Sequence, residues 1–293
     1  MARWRCGEDR RIGLVIYPGD ANNGEGRGCY FRQGGVGKTT TTAAIGAALA
    51  QMGQKVVIVD FDVGLRNLDL VMGAERRVVY DLVNVIQGIA KLQQALIRDK
   101  RIDTLALLPA SQTRDKDALT EDGVRRIIGQ LRQMFDWVIC DSPAGIERGA
   151  TLAMRFAEVA IIVTNPEVSS VRDSDRIIGL LDAKTLRAER GERIDKHLLI
   201  TRYDQSRATR GEMLGIDDVL EILSTPLLGI IPESEEVLRA SNLGSPVTLN
   251  NPGSAAARAY SDAARRLMGE DIEMTVPSDK VGLFGKLFGR RAA

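Results

Sequence analysis

Histidine is almost missing from this chain of 293 residues: there is one, His197. A metal site or proton relay built from two or three imidazoles is thereby excluded, and a Ser-His-Asp triad would have to use that residue. His197 stands between Asp195-Lys196 and the apolar pair Leu198-Leu199, the setting of a histidine at a strand edge. Cysteine is scarce too. Cys6, Cys29 and Cys140 are too few and too scattered for a disulfide framework or a Cys-x-x-Cys metal site, a usage that suits a reducing cytoplasm. No apolar run reaches the about 18 residues of a membrane-spanning helix, and the basic start, residues 1–11, lacks a signal peptide's apolar centre. Charge of one sign is also lacking. With 40 basic side chains against 39 acidic ones, no overall field draws the molecule to nucleic acid or to an anionic membrane, so any such attraction must be local.

What is present is alternation. From about residue 39, short β-branched runs at 56–60, 105–108, 137–141, 159–164, 198–201 and 227–231 read as strands. Several are apolar on both faces, as central parallel strands are. Between them, 39–52, 122–133, 169–185, 216–223, 234–243 and 255–268 carry helical periodicity. This predicts a doubly wound α/β fold with a mainly parallel sheet, in which ligands bind beyond the carboxyl ends of the strands. The charged stretch 187–193, with Gly191, reads as a solvated loop, and the polar residues 270–279 as a linker to a distinct tail at 280–293.

One loop carries chemistry. Gly34-Gly35-Val36-Gly37-Lys38-Thr39-Thr40 runs straight into a helical pattern, the layout of a phosphate-binding loop. Without Cβ atoms its backbone N–H groups can turn inward on a polyphosphate. The helix dipole and the Lys38 ammonium add positive charge, and the Thr39 hydroxyl offers a Mg²⁺ ligand. Such a site also needs carboxylates near the metal and the attacking water. Asp60 and Asp62 end one apolar run, on the same side of an extended segment, and Asp141 ends another before a tight turn. Asp60 or Asp62 is expected to position water, and Asp141 to reach Mg²⁺ through water.

Six stretches together, GGVGKTT, DFDVGLRNLDL at 60–70, LPASQTRDKDALT at 108–120, CDSPAGIE at 140–147, TNPEVSSVRDSDR at 164–176 and LLITRY at 198–203, resemble the deviant Walker A (ParA/MinD) family of P-loop ATPases. The resemblance covers about residue 33 to the end. It implies an ATPase domain over 34–269 that uses ATP and Mg²⁺, with Lys38 as the loop lysine, Thr39 as the metal ligand, Asp60 and Asp62 as switch I aspartates and Asp141 as the Walker B aspartate. It further implies adenine contacts from Arg202 and the turn Pro232-Glu233. An ATP-dependent homodimer, peripheral on the inner face of the cell membrane, would recruit a MinC-like division inhibitor and be released by a MinE-like activator, both docking near Asp173 and Asp175. No specific nucleic acid is expected.

The chain departs from the family before the loop. Where the family has a short apolar strand leading into Ser-Gly-Lys, this sequence has Phe31-Arg32-Gln33. The lysine at the Gln33 position is the one that reaches the partner's phosphates, and a neutral amide cannot replace a point charge there. Arg32, replacing glycine, brings a Cβ into a turn that needs a flexible backbone. For residues 1–33 three readings stand: an insertion that leaves 12–17 as the first strand, a rebuilt edge using 28–31, or a frame or start-site error.

In the tail, Val281, Phe284, Leu287 and Phe288 fall on one helical stripe, flanked by Lys280, Lys286, Arg290 and Arg291. That is the composition of an in-plane membrane anchor. Each cation adds only about 1 kcal/mol near anionic lipid, so firm binding requires two tails on one dimer. Rival functions are a DNA-partitioning ParA-type ATPase, opposed by the neutral charge and the Phe/Leu tail, and a non-hydrolysing scaffold, suggested by Gln33. An iron-protein reductase would need paired interface cysteines, whereas only Cys140 lies in the α/β body.

Overall fold

The computed structural model describes residues 11–16, 37–112, 118–143 and 148–277. In chain order its elements are β1 Arg11–Ile16, α1 Lys38–Gln51, β2 Val56–Asp60, α2 Leu68–Val71, a 3-10 turn at Glu75–Arg77, α3 Leu82–Ile86, α4 Leu92–Ala95, β3 Ile97–Arg98, β4 Leu105–Leu108, α5 Glu121–Met134, β5 Trp137–Asp141, α6 Arg148–Arg155, β6 Val159–Thr164, α7 Val168–Lys184, α8 Leu186–Glu189, β7 Asp195–Tyr203, α9 Gln205–Thr209, α10 Ile216–Leu223, β8 Leu227–Pro232, α11 Glu235–Asn242, α12 Val247–Asn250 and α13 Ala255–Leu267. The strands form one sheet in the order β3-β4-β2-β5-β1-β6-β7-β8. All neighbours run parallel except the short β3, which pairs antiparallel with β4.

Alternation along the strands feeds two cores, one on each face. Ile58, Ile139, Ile161 and Leu199 point to the layer of α1 and α13. Val57, Val59, Val138, Ile162 and Ile200 point to α3, α5, α6 and α7. Each fully buried Val or Ile contributes about 1.5–3 kcal/mol, so two faces of such residues tie both helical layers to the sheet. α1 is buried over all ten residues from Thr41 to Ala50, because the sheet lies on one side and α12 and α13 on the other. Gly46 permits that approach: a Cβ there would meet Ile58 Cδ1 at 2.6 Å.

All six expected strands are present, with β7 and β8 reaching beyond the expected limits. β1 lies in the middle, between β5 and β6. Of the three readings of residues 1–33, the one that takes 12–17 as the first strand has its strand in this place; residues 28–31 lie outside the described part. The stretch 187–193, expected as a loop, instead begins within the single helical turn α8, whose Ala188 N–H donates to the Thr185 hydroxyl at 3.1 Å. One turn of four residues shows no 3.6-residue period, so charge was the only visible signal there. Of the expected linker 270–279, residues 270–277 are described, and they begin against the body. The Arg266 guanidinium donates to the carbonyls of Leu228 (2.9 Å), Ile272 (3.1 Å) and Glu273 (2.7 Å), and Met274 packs on the core. Among the described residues no helix is long and apolar enough to cross a membrane.

Candidate functional site

The site lies where β2 and β5 end under the first turn of α1. Gly37 precedes that helix with φ +89°, a left-handed conformation that glycine adopts without strain, and its carbonyl accepts from Thr41 N–H at 2.7 Å to open the helix. No side chain caps the helix end, so its N–H groups and dipole are left for an anion. Gln33, Gly34, Gly35 and Val36 lie outside the described residues.

Asp60 and Asp141 are register partners at the ends of adjacent strands, and both are buried. Asp141 Oδ1 accepts from the Thr42 hydroxyl at 2.9 Å, and Thr39 also hydrogen-bonds this carboxylate. Burial nevertheless raises the Asp141 carboxyl to about 6, against those hydroxyls and the charge of Lys38. Asp60 Oδ1 accepts from the Asp62 amide at 2.8 Å, while Oδ2 is buried without a hydrogen-bond partner. Burial first, then the charge of Asp141, push its carboxyl well above the usual range. Burial lowers the pKa of the Lys38 ammonium, and the charges of Asp141 and Asp62 oppose that shift. Cys140 is no nucleophile: burial, then Asp141, push its thiol up to about 12.

Among the described residues the Lys38 ammonium thus stands with the buried carboxyls of Asp60 and Asp141 and the half-buried Asp62, and a divalent cation would favour the ionised forms that burial disfavours. Among the described residues no cluster of three or more acidic, histidine or cysteine side chains is arranged to hold a metal alone. That fits Mg²⁺ bound together with a phosphate, since Mg²⁺ keeps several waters and takes few protein ligands. Beside Gly37 and Thr40 opens a cleft of about 500 Å³, walled by Arg202, Pro232, Glu233 and Tyr260. Its size suits a base. Arg202 is held at φ +56°, a conformation that costs a non-glycine residue about 1–3 kcal/mol, and its Nη2 pairs with Glu233 Oε1 at 3.2 Å.

The expected site residues Lys38, Thr39, Asp60, Asp62 and Asp141 are therefore together, and Arg202, Pro232 and Glu233 lie in the adjoining cleft. Asp173, half-buried, and Asp175, exposed, are on α7, which packs on the opposite face of the sheet from α1. Lys280, Val281, Phe284, Lys286, Leu287 and Phe288 lie outside the described residues. His197, with Nε2 at 3.3 Å from Asp195 Oδ2, stands near the start of β7, as expected of a strand-edge histidine. Sequence reasoning missed Thr42 as a ligand of Asp141 and Tyr260 as a wall of the cleft. For Thr42 there was a signal: four successive threonines are a poor choice for a helix start unless their hydroxyls are used.

The CobQ/CobB/MinD/ParA nucleotide binding domain family matches residues 32–247. The septum site-determining protein MinD of Escherichia coli (strain K12) is 59% identical over 260 residues, covering 88% of this chain and 96% of that protein. Among solved structures, the MinC:MinD cell division protein complex of Aquifex aeolicus superposes with a TM-score of 0.76 at 37% identity, over 91% of this chain and 98% of that one. The septum site-determining protein MinD of Pyrococcus horikoshii, complexed with Mg-ADP, gives 0.73 at 28% identity, over 88% and 95%. The buried aspartates at the mouth of the phosphate-binding helix and the extent of these matches agree: the chain belongs to the CobQ/CobB/MinD/ParA family and, within it, to the MinD cell-division ATPases, which use ATP with Mg²⁺.

Proposed function

We propose that this ATPase is a nucleotide-timed membrane switch in placement of the division septum. The observation that carries the reading is the in-register pair Asp60 and Asp141, buried together beside Lys38 with one carboxylate oxygen unpartnered. Without a ligand such a pair moves toward sharing a proton, as its raised pKa values show, and a bound cation would favour the doubly ionised form. Mg²⁺ supplies neutralisation of the phosphate oxygens. Residues 34–40 cradle the phosphates, Lys38 and the α1 dipole face their negative charge, and Thr39 with Asp141, through water, would hold the cation. Asp60 or Asp62 orients the attacking water. Arg202, Pro232 and Glu233 enclose the base.

ATP binding joins two copies, and the dimer presents two tails at 280–293 to the inner face of the membrane. There Val281, Phe284, Leu287 and Phe288 enter the lipid and Lys280 and Lys286 meet anionic headgroups. The Aquifex relative was solved with MinC. By that likeness a MinC-like inhibitor docks near Asp173 and Asp175, where a MinE-like activator also acts to trigger hydrolysis and release. Gln33 makes this chain a slow enzyme that still binds Mg-ATP.

Sedimentation of the full chain with anionic liposomes in ATP and in ADP tests the switch. Pelleting only in ATP, lost in Phe284→Glu with nucleotide binding intact, is the expected result. Equal pelleting in both nucleotides that persists in Gln33→Lys would overturn the reading. An activator-stimulated rate equal in the Gln33 chain and in Gln33→Lys would refute the slow-enzyme claim.

A further inference from the structure

The first turn of α1 aims Lys38, Thr39 and the helix dipole, yet no side chain caps it. It must be fixed from its flanks. Thr41 and Thr42 are both fully buried, and successive residues of a helix point about 100° apart. Thr42 reaches down to Asp141 on β5 at 2.9 Å. Thr41 reaches sideways: its Oγ1 lies 3.0 Å from the hydroxyl of Tyr260 on α13, a partner 219 residues away in sequence.

Tyr260 has the bulkiest fully buried side chain of the described residues, and it also walls the cleft beside Gly37 and Thr40. Filling that volume needs only a phenylalanine. A hydroxyl carried into a dry site loses its hydration unless it finds a partner, and the Thr41 hydroxyl is in the same position. A buried pair of this kind can be exchanged for apolar groups of similar shape at little loss of stability. What the exchange would remove is direction. Thr39 and Thr42 hold one side of the turn on Asp141, and the Thr41 bond to Tyr260 holds another; without it the phosphate-binding end of α1 is directed by hydrogen bonds from one side only, with apolar packing leaving small rotations open.

We propose that Tyr260 is a positioning residue for nucleotide binding: through Thr41 it holds the phosphate-binding end of α1 in its binding orientation, while Thr42 and Asp141 hold the other side. The inference rests on the reading that this helix end receives the nucleotide phosphates. Burial pushes the Tyr260 phenol up to about 12, so the bond joins two neutral hydroxyls and does not change across physiological pH.

The test is calorimetric titration of the full chain with Mg-ADP, alongside thermal unfolding, for Tyr260→Phe, Thr41→Val, their double variant and Thr41→Ser. Tyr260→Phe and Thr41→Val should each raise Kd about 5-fold or more, and the double variant no further than the weaker single, because either change removes the same bond. Thr41→Ser keeps the hydroxyl and should bind as the parent does. Thr41 does not line the cleft, so its agreement with Tyr260→Phe would separate helix positioning from a changed cleft wall. Kd within twofold of the parent in both single variants, with only Tm lowered, would overturn the proposal and leave an ordinary core contact. Fully multiplicative effects in the double variant would overturn it too. If Tyr260→Phe does not fold, the contrast of Thr41→Val with Thr41→Ser decides alone. A parent chain that does not bind Mg-ADP sinks the underlying site reading, a failure seen before any variant is made.

Discussion

Two buried aspartate sites sit at different corners of the same sheet. At the turn between β3 and β4, Asp99 is 6% exposed, but Arg101 closes on it with Nε to Oδ1 at 2.9 Å and Nη2 to Oδ2 at 2.6 Å, and the Arg101 amide adds a third bond at 2.7 Å. Burial pushes the Asp99 carboxyl up, and these donors outweigh it, so the pKa lies below the usual value. At the ends of β2 and β5, Asp60 and Asp141 are buried more deeply still and are register partners; Lys38 opposes the shift of Asp141, and both pKa values are raised. Where the chain supplies its own cation, a buried carboxylate is a structural rivet. Where the described residues leave the carboxyls raised, a bound cation would restore their charged form, and that perturbation marks the functional end of the molecule.

Substitution by the neutral isostere should act in opposite directions at the two corners. Asp60→Asn removes one of two like charges held in a dry site. It should stabilise the nucleotide-free protein by about 1–3 kcal/mol in urea unfolding at pH 7 and lower ATP turnover by about 100-fold or more. Asp99→Asn strips the partner from the Arg101 fork and should destabilise by about 1–3 kcal/mol while leaving Mg-ADP affinity unchanged. Loss of stability in both variants would break the comparison.

The pH dependence carries the same contrast. Asp141 binds its proton more tightly folded, at about 6, than unfolded, near 3.8. Between those values the native state holds more protons, so unfolding free energy falls as pH rises through that window, by about 3 kcal/mol from Asp141, and the raised Asp60 carboxyl acts with the same sign. Asp99 has the opposite sign, its contribution being lost as pH falls below the ordinary carboxylate range. Without nucleotide the protein should be more stable at pH 5 than at pH 7, and saturating Mg-ADP should reverse that order. A nucleotide-free stability that climbs steadily from pH 5 to 7 would contradict it.

The functional corner was far more legible in sequence than the structural one. GGVGKTT announces phosphate chemistry, and an aspartate closing an all-apolar run, as in VVIVD and WVICD, can hardly point anywhere but past the end of a buried strand. Asp99-Lys100-Arg101 looks like any solvated turn, because the burial of Asp99 comes from neighbours remote in sequence: Arg101 also donates to Met72 O at 3.2 Å and Gly244 O at 3.3 Å. Tyr260 is invisible for the same reason, since nothing local marks its bond to Thr41. The short helices α2, α3 and α4 are missed because one turn has no period to read. β1, separated from the loop by residues 17–33, could be offered only as one of three readings.

The structural corner depends on a close contact of two glycines. A Cβ on Gly73 would stand 2.5 Å from Gly244 O, and one on Gly244 2.7 Å from Gly73 Cα, with φ of +63° and +64° respectively. Gly73→Ala should cost about 1–2 kcal/mol through both the clash and the left-handed backbone. Because Gly244 O also receives Arg101, the loss should be smaller in an Asp99→Asn background than in the parent, a coupling that a double-mutant cycle would read.

The smallest effect defines the baseline for all of these. Lys196 Nζ meets Asp182 Oδ1 and Oδ2 at 2.7 and 2.6 Å, geometry as short as that of Asp99 with Arg101, but Asp182 is 51% exposed. Water already solvates that carboxylate in the unfolded chain and still does in the folded one, so little is exchanged on pairing. Asp182→Asn should shift stability by less than about 1 kcal/mol and lose even that in high salt, whereas the Asp99 effect should survive salt. If both pairs responded alike to substitution and to salt, distance rather than burial would set the worth of a carboxylate contact here, and the contrast between the two corners would lose its physical basis.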